Sequence, residues 1–358
     1  MVEIKPKSRI QWIDIARGLA IIMVIIGHSQ MNYYGDYWTR LLFSVHLPIF
    51  FVLSGYLYRP KNYQKELKGG WFNLILPYYA TVVIGGILIL IARLVPNAYI
   101  LPYRIFSIKD LILSGLYGVN ETVTLFHRSI IGIGAIWFLL AFFFGIQIFN
   151  LIMRLQVSDL VKAVIVLICT IAGVTIAQWF YLPWSIDSAL FAQVFFFSGY
   201  LIKKYDVMTR LSWWIVIILA VIYVYSGTQG TLSVADVRDD TMLIGVIAGI
   251  TNSLFLMWVS QKIEVVGKRF KFNWLITGLA FMGAESLTIL CFHLIDLDYL
   301  HVWVHVYGFV YSHAGQLMAT YAGIFYRTIF TILMVLIVRQ IPIIRSFYMH
   351  RKYPFKSK

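Results

Sequence analysis

Ten runs of mostly apolar residues restrict this chain to one class of fold. Each run has about 20 residues, the length that crosses the hydrocarbon core of a bilayer as a helix. Hydrophobic residues make up 60% of the sequence and charged residues only 13%, a composition that soluble domains do not have. The sequence therefore predicts an all-α, polytopic integral membrane protein with about ten transmembrane helices. The predicted helices cover residues 10–30, 39–58, 71–93, 132–152, 161–182, 185–202, 211–226, 241–260, 274–297 and 316–338.

The basic residues between these runs predict the orientation of the chain. If the N-terminus is cytoplasmic, 22 of the 30 Lys and Arg residues fall on the cytoplasmic side and 6 on the opposite side, as the positive-inside rule requires. We therefore expect both termini in the cytoplasm and the chain in the plasma membrane. A transmembrane domain is predicted over residues 1–345, followed by a basic tail over 346–358 that contacts anionic lipid. Because the net charge of +14 is spread over short segments, nucleic acid is not an expected partner.

The first apolar run carries three ionisable residues, Asp14, Arg17 and His28. A charged side chain at the centre of a bilayer costs about 2.5–3.5 kcal/mol, so such residues usually face a protein interior and mark functional sites. Arg17 and His28 are 11 residues apart. This spacing is close to three helical turns, so both side chains project from one face, about 16 Å apart along the axis. The sequence thus predicts a cation and a titratable base along one stripe of the first helix.

Polar residues in later runs are predicted to converge on this stripe. With alternating helix directions, His46 and His293 share the outer half of the membrane with the base of the first helix. Two further charged residues, Glu285 and Arg327, are expected near mid-membrane. A neutral imidazole can take a proton from a hydroxyl, and a buried guanidinium can hold an anion or polarise a carbonyl. The pattern predicts a buried polar route with a base at its external end.

Several of these residues also have a purely structural interpretation. Asp14 can simply neutralise Arg17, which follows three residues later. His46 can form a hydrogen bond between helices. Glu285 can form an ion pair with Arg17 or with Arg327. The sequence leaves these alternatives open.

The external segments carry two further patterns. Residues 106–120, FSIKDLILSGLYGVN, mix charged with aromatic and aliphatic side chains, which favours an interfacial helix over the alternative of a lid above an external opening. His301 and His305 have the i, i+4 spacing of a helical metal site, but no adjacent carboxylate or cysteine completes it. We expect these two histidines and His313 to lie in an interfacial aromatic loop, and we expect no metal.

Two consecutive motifs carry a resemblance to a known family. They are WIDIARGLAIIMVIIGHS at 12–29, which contains Arg-x10-His, and HLPIFFVLSGYLYR at 46–59. Later segments fit the same family: AIWFLLAFFF at 135–144, PWSIDSALFAQVFFFSGYLIKKY at 183–205 and GAESLTILCFH at 283–293. With these motifs the chain resembles membrane acyltransferase family 3, the integral-membrane O-acyltransferases, over nearly its whole length. The WSID stretch is similar to the fucose 4-O-acetylase-like branch.

The resemblance implies transfer of an acyl group, usually acetyl, from cytoplasmic acyl-CoA to a hydroxyl of an exopolysaccharide, cell-wall glycan or lipid-linked sugar. It implies that His28 is the catalytic histidine and that Arg17 binds the donor near its thioester. Arg59, Lys61 and Lys65 are candidate contacts of the coenzyme A phosphates. The remaining candidates for substrate or donor binding are Asp14, His46, Tyr56, Asp187, Glu285, Ser286, His293 and Arg327.

Two other classes fit the same residues. Intramembrane Arg, His and Glu side chains also suit a proton-coupled secondary transporter or exporter of a glycan or lipid precursor. The lack of a detectable internal repeat weighs mildly against a transporter. A membrane sensor that keeps the fold without turnover is the third interpretation. Only a measurement of transfer, transport or binding distinguishes the three.

Overall fold

Helices account for nearly all of the regular structure in this computed structural model, which describes residues 9–33, 35–95, 105, 107–229, 233–237 and 242–349. Within these residues each predicted run forms one or two helices, so the all-α class is confirmed. The helices are α1 (Gln11–Gly27), α2 (Tyr37–Phe43), α3 (Pro48–Tyr56), α4 (Tyr63–Gly70), α5 (Leu76–Leu94), α6 (Ile108–Tyr117), α7 (Trp137–Arg154), α8 (Asp159–Trp179), α9 (Ile186–Phe191), α10 (Gln193–Lys204), α11 (Trp213–Ser226), α12 (Met242–Arg269), α13 (Asn273–Ala284), α14 (Ser286–Ile295), α15 (Val302–Gln340) and α16 (Pro342–Tyr348).

Short elements complete the described chain. Two strands, β1 (Val123–Leu125) and β2 (Arg128–Ile130), pair antiparallel, with Val123 opposite Ile130. Two π-helical segments continue α4 into α5 and extend α14. The π-helical segments are Trp71–Ile75 and Asp296–Leu300, and the 3₁₀ turns are Met31–Tyr33, Pro183–Ser185 and Val207–Thr209.

Six of the described helices are long and apolar enough to cross a membrane, or eight spans result if two bent helix pairs each count as one. The bends measure 44° between α9 and α10 and 70° between α13 and α14. Two other predicted spans, α1 and α11, are shorter helices of 17 and 14 residues. The polytopic membrane fold is therefore confirmed, whereas ten spans and cytoplasmic termini stay predictions.

Helix α1 is surrounded by other helices. It packs against α2, α3, α12, α13, α14 and α15. Its crossing with α13 is tight, since a Cβ on Gly18 would lie 2.1 Å from the Leu279 carbonyl oxygen and one on Gly283 would lie 1.7 Å from that of Asp14. Small residues that let backbones approach are the usual means of packing helices in membranes. The crossing fixes α1, with its polar residues, against α13.

Helices α3 and α10 cross in the same way, through a Ser-Gly-Tyr triplet that occurs in both, at residues 54–56 and 198–200. A Cβ on Gly55 would lie 1.8 Å from the Phe196 carbonyl oxygen, and a Cβ on Gly199 would lie 1.9 Å from that of Val52. The contact is therefore reciprocal. It places α3, which begins at Pro48, between α1 and α10.

The external segments differ in part from the sequence prediction. The expected aromatic loop that holds His301, His305 and His313 is wrong, because residues 302–313 are helical and belong to α15. The break falls instead at Gly315, with φ 77° and ψ 177°, a conformation that glycine adopts without steric cost. Residues 106–120 do contain a helix, α6, which packs on α5. Its position in the membrane interface stays a prediction.

A short helix crosses the predicted end of the transmembrane domain at residue 345, and the domain boundary itself stays a prediction. Helix α16 continues past residue 345 to Tyr348, whose ring packs on Phe292 at 5.2 Å and is buried. Ser346 is buried as well. Residues 350–358 of the predicted basic tail lie outside the described residues.

Candidate active site

An apolar cavity lies beside the central helix. It has a volume of about 180 Å³ and is bounded by α1, α3, α7 and α14, with contributions from the segments that precede α3 and α5. Arg17 and Ser286 are the polar residues in its wall. The apolar residues in the wall are Ile21, Val24, Leu47, Phe50, Leu74, Phe138, Leu139, Phe142, Leu287 and Leu290.

The α1 side of this cavity follows one helical face. Arg17, Ile21 and Val24 line it, and their spacings of four and three residues place them on one side of a helix. The next position on that face is His28, one turn beyond Val24. We call Arg17, Ile21, Val24 and His28 the α1 stripe. Three residues of this stripe, Arg17, Ile21 and Val24, form part of the cavity wall, and the predicted alignment of the His28 imidazole with them stays a prediction.

The α14 side repeats the pattern. Ser286 and Leu290 line the cavity, and His293 follows at helical spacing, so these three residues form the α14 stripe. The two stripes meet at their histidines, since the ring centroids of His28 and His293 are 5.6 Å apart. His293 is fully buried, and neither of its ring nitrogens has a hydrogen-bond partner in the structure. Each stripe therefore leads from a polar residue at the cavity to one of two adjacent imidazoles.

The third predicted histidine lies next to this pair. The His46 ring stacks on Phe43 at 4.4 Å, and the Phe43 ring lies 5.8 Å from that of His28. The Nδ1 atom of His46 is 3.1 Å from the Phe43 carbonyl oxygen, so Nδ1 carries the proton and donates it. This bond stays within the α2–α3 connection, so the expected bond between helices is not the one His46 forms. His46 supports the ring that packs on His28.

Arg327, which the sequence analysis expected near mid-membrane, contacts the end of α1. Its Nη1 donates to the His28 carbonyl oxygen at 2.6 Å and to Ser29 Oγ at 3.2 Å. Its Nε lies 3.3 Å from Asp296 Oδ2, and both side chains are fully buried. The depth prediction placed Arg327 on a straight helix of the predicted length. In the structure α1 ends at Gly27, and Arg327 donates a hydrogen bond to the carbonyl oxygen of the next residue, His28.

Residues 10–338 match the model of a protein family described as an acyltransferase domain. This chain belongs to membrane acyltransferase family 3. It is therefore a membrane acyltransferase, and the family assignment predicted from its motifs is confirmed. No curated protein and no solved structure matches the chain.

Glu285 of this family 3 acyltransferase has a different partner from either one predicted. Its Oε1 accepts from Arg339 Nη2 at 2.7 Å, and the Arg339 guanidinium lies 4.9 Å from the Phe281 ring. The expected ion pair with Arg17 or Arg327 is therefore wrong. The physical reason is the 70° bend between α13 and α14, since Glu285 sits in that bend (φ −106°, ψ 13°) and points to the end of α15.

The other end of the α1 stripe is more open. Asp14 Oδ2 lies 2.5 Å from Arg9 Nε, whereas its second oxygen lies 3.9 Å from Arg17 Nη1. The Arg17 side chain is 31% exposed and lines the cavity. Asp14 is thus balanced mainly by Arg9, which leaves Arg17 available to a ligand in the cavity.

Three predicted binding residues lie away from the two histidines. Tyr56 packs edge-on against Trp12 at 5.5 Å and carries the ammonium of Lys203 over its ring at 5.1 Å. Arg59 is exposed three residues beyond. Asp187 is buried at the start of α9, which packs between α7 and α8. The structure brings Tyr56 and Arg59 to the α3 end that is predicted to be cytoplasmic, and it does not bring Asp187 to the cavity.

For the histidines at the start of α15, the expectation that they hold no metal stays a prediction. Among the described residues, no group of three or more His, Cys, Asp or Glu side chains is arranged to hold a metal ion. His301 sits between α14 and α15 with φ 53°. Burial and the nearby charge of Arg327 lower its pKa, so this imidazole is neutral at pH 7.

Sequence reasoning missed four residues around Arg327. Ser29 accepts a hydrogen bond from it, and the Asp296 carboxylate lies 3.3 Å from its Nε. The Trp303 ring lies 3.7 Å from the guanidinium carbon, and the Tyr326 hydroxyl donates to Asp296 Oδ1 at 3.1 Å. One signal was present in the sequence, because Asp296 is an acidic residue inside an apolar run, and such residues have partners or functions by default.

Proposed function

We propose that this membrane acyltransferase transfers an acetyl group from cytoplasmic acetyl-CoA to a hydroxyl of a carbohydrate on the outer side of the plasma membrane. The observation that carries the proposal is the apolar cavity that follows the α1 stripe from Arg17 toward His28. A thioester donor and an alcohol acceptor that arrive from opposite sides need such a passage. The acetyl-CoA donor and the carbohydrate acceptor are both parts of the proposal.

The donor enters from the basic end of the passage. Arg59 and Lys65 are exposed there, and guanidinium and ammonium groups are the usual partners of phosphate. Lys61 is paired with Glu66 at 2.8 Å and must leave this carboxylate to bind a phosphate. The thin pantetheine arm then passes Arg17 and occupies the cavity. Arg17 and His28 are separated by about 16 Å along α1. The pantetheine arm spans this distance, so the thioester can reach His28.

The chemistry takes place at the two imidazoles. His28 accepts the proton of the acceptor hydroxyl while the hydroxyl oxygen forms a bond to the thioester carbonyl carbon. The carbon–sulfur bond breaks, the ester remains on the acceptor, and the proton on His28 passes to the departing thiolate. The neighbouring His293, which is wholly buried, offers its ring nitrogens to hydroxyl groups of the acceptor.

Transfer of label from radiolabelled acetyl-CoA to a glycan acceptor tests this proposal in protein reconstituted into lipid nanodiscs. His28→Ala is expected to lose transfer by roughly 10²–10⁴-fold, the contribution of a general base. His313→Ala is the matched control, since this exposed histidine of α15 lies outside the cavity wall. Full transfer by His28→Ala contradicts the proposal, and movement of intact glycan without acetyl-CoA identifies a transporter instead.

The acceptor is identified in cells. Mass spectrometry of surface polysaccharide from a deletion strain is expected to show loss of one acetyl ester per repeating unit, restored by the wild-type gene and not by His28→Ala. An unchanged polysaccharide contradicts a carbohydrate acceptor on the cell surface.

A further inference from the structure

The end of α1 is held by a network that the proposed chemistry does not use. Arg327 of α15 stands at its centre, with no exposed surface. Its guanidinium contacts α1 through the His28 carbonyl oxygen, the α14 side through Asp296, and the ring of Trp303. Three separate parts of the chain are therefore joined at one side chain.

The contact on α1 falls on the histidine itself. Helix α1 ends at Gly27 with His28 as its C-cap residue. The last carbonyl groups of a helix lack partners within the helix, and a cation there also favours the helix dipole. Here the guanidinium donates to the carbonyl oxygen of His28 at 2.6 Å. Since that carbonyl and the imidazole belong to one residue, the bond restricts the backbone from which the ring projects.

The acidic partner holds the guanidinium in turn. Asp296 is fully buried, accepts from the Tyr326 hydroxyl at 3.1 Å, and lies 3.3 Å from Arg327 Nε. The Trp303 ring covers the guanidinium carbon at 3.7 Å, a contact that favours a cation. The guanidinium is thus held by the ion pair with Asp296, by the Trp303 ring, and by the two hydrogen bonds that its Nη1 donates to the His28 carbonyl oxygen and to Ser29 Oγ. Lysine, a point charge on a flexible stem, has no planar guanidinium that could keep the ring contact, the ion pair and the Nη1 hydrogen bonds together.

We propose that Arg327 is a positioning residue that orients His28 for the transfer step, and that Asp296 and Tyr326 hold Arg327 in that role. The proposal rests on the proposed function insofar as His28 is the base. The network sets the backbone of His28 on one side, while His293 and Phe43 border its ring at 5.6 and 5.8 Å. A displaced ring misses the acceptor hydroxyl, and a displacement of about 1 Å can cost 10²-fold in rate.

Three single variants test the proposal by acetyl transfer. Arg327→Lys keeps the positive charge and loses the planar guanidinium. Tyr326→Phe removes the hydrogen bond from Tyr326 to Asp296 and keeps the ion pair with Arg327. Arg339→Lys is the matched control, since it changes the other acid-paired arginine of α15. For Arg327→Lys we expect kcat to fall roughly 10- to 100-fold, with the KM for acetyl-CoA unchanged. Tyr326→Phe should show a smaller fall in kcat, and Arg339→Lys none.

A double variant separates positioning from general support of the fold. If Arg327 acts through His28, Arg327→Lys has no further effect on the residual transfer of His28→Asn. A further loss equal to the loss in wild type overturns the proposal. Should Arg327→Lys fail to fold in a thermal melt, Tyr326→Phe decides by the same comparison.

A readout without turnover keeps this inference distinct from the proposed function. In protein labelled with ¹⁵N-histidine, the His28 ring resonances are the ones that His28→Asn removes. Arg327→Lys and Tyr326→Phe are expected to shift or broaden them, and Arg339→Lys is expected to leave them unchanged. Absence of acetyl transfer by wild type defeats the proposed function alone. Unchanged His28 resonances in both network variants defeat the positioning role.

Discussion

Two acid–arginine pairs connect the α13–α14 region to α15, and they differ in their surroundings. In the exposed pair, Arg339 Nη2 lies 2.7 Å from Glu285 Oε1 and 41% of the arginine side chain is exposed. In the buried pair, Arg327 and Asp296 are 3.3 Å apart and wholly buried. The shorter pair has the smaller structural role, because the buried arginine also bonds to α1. Burial and the number of partners, rather than the distance, distinguish the two.

The comparison predicts very different costs for removing each arginine. Arg327→Met should lower the free energy of unfolding by about 3–5 kcal/mol, because it leaves Asp296 charged and unpaired in the interior. Arg339→Met should cost at most about 1 kcal/mol, as partly exposed ion pairs do. Denaturation of the two variants and wild type in the same detergent measures the difference. Equal losses would show that burial does not separate the pairs.

A substitution that fills the cavity is expected to have an effect of intermediate size. Leu290→Trp places a larger side chain in the cavity wall, and we expect the KM for acetyl-CoA to rise about tenfold, since overpacking a filled site typically costs 1–3 kcal/mol. Leu333→Trp is the matched control, because Leu333 of α15 is 51% exposed on the outer surface of the helices. A KM unchanged by Leu290→Trp would mean that the donor does not occupy this cavity.

The smallest expected effect is a change, with salt concentration, in the difference in melting temperature between each variant and wild type. At 1 M salt the Debye length falls to about 3 Å, so a partly exposed ion pair stabilises less than at low salt, whereas a buried pair is screened much less. The difference in melting temperature between wild type and Arg339→Met should therefore shrink from low salt to 1 M, and the difference for Arg327→Met should stay constant. A parallel decrease in both would show that water and ions reach Asp296.

The two pairs also show how far the sequence predicted this structure. Apolar runs predict membrane helices well, because a run of about 20 apolar residues has the length and composition of a helix that crosses the bilayer. Helical geometry predicted the α1 stripe, and Arg17, Ile21 and Val24 of that stripe line the cavity. It did not predict the partners of Glu285 and Arg327, since they depend on the 70° bend at Glu285 and on the end of α1 at Gly27. Depth counted along straight helices misses both features.

One residue shows what the sequence offered and the prediction left out. Asp296 stands inside an apolar run, and its burial beside Arg327 is the feature that organises the end of α1. The prediction assigned roles to the histidine three residues earlier and none to this acid. An unpaired carboxylate is costly inside a membrane, so its position alone indicates a buried polar or cationic partner, although the identity of that partner requires the fold.

The central claim is that the acyl donor lies in the cavity along the α1 and α14 stripes with its thioester at the two histidines. Photo-crosslinking with an acyl-CoA analogue that carries a diazirine in the acyl chain, followed by mass spectrometry of the peptides, tests this most directly. The account predicts labels on the ends of both stripes, at Val24 or His28 and at Leu290 or His293, with loss of labelling when acetyl-CoA competes. Competable labels confined to lipid-facing residues such as Leu167 and Ile171 of α8, which are 56% and 55% exposed, would contradict it.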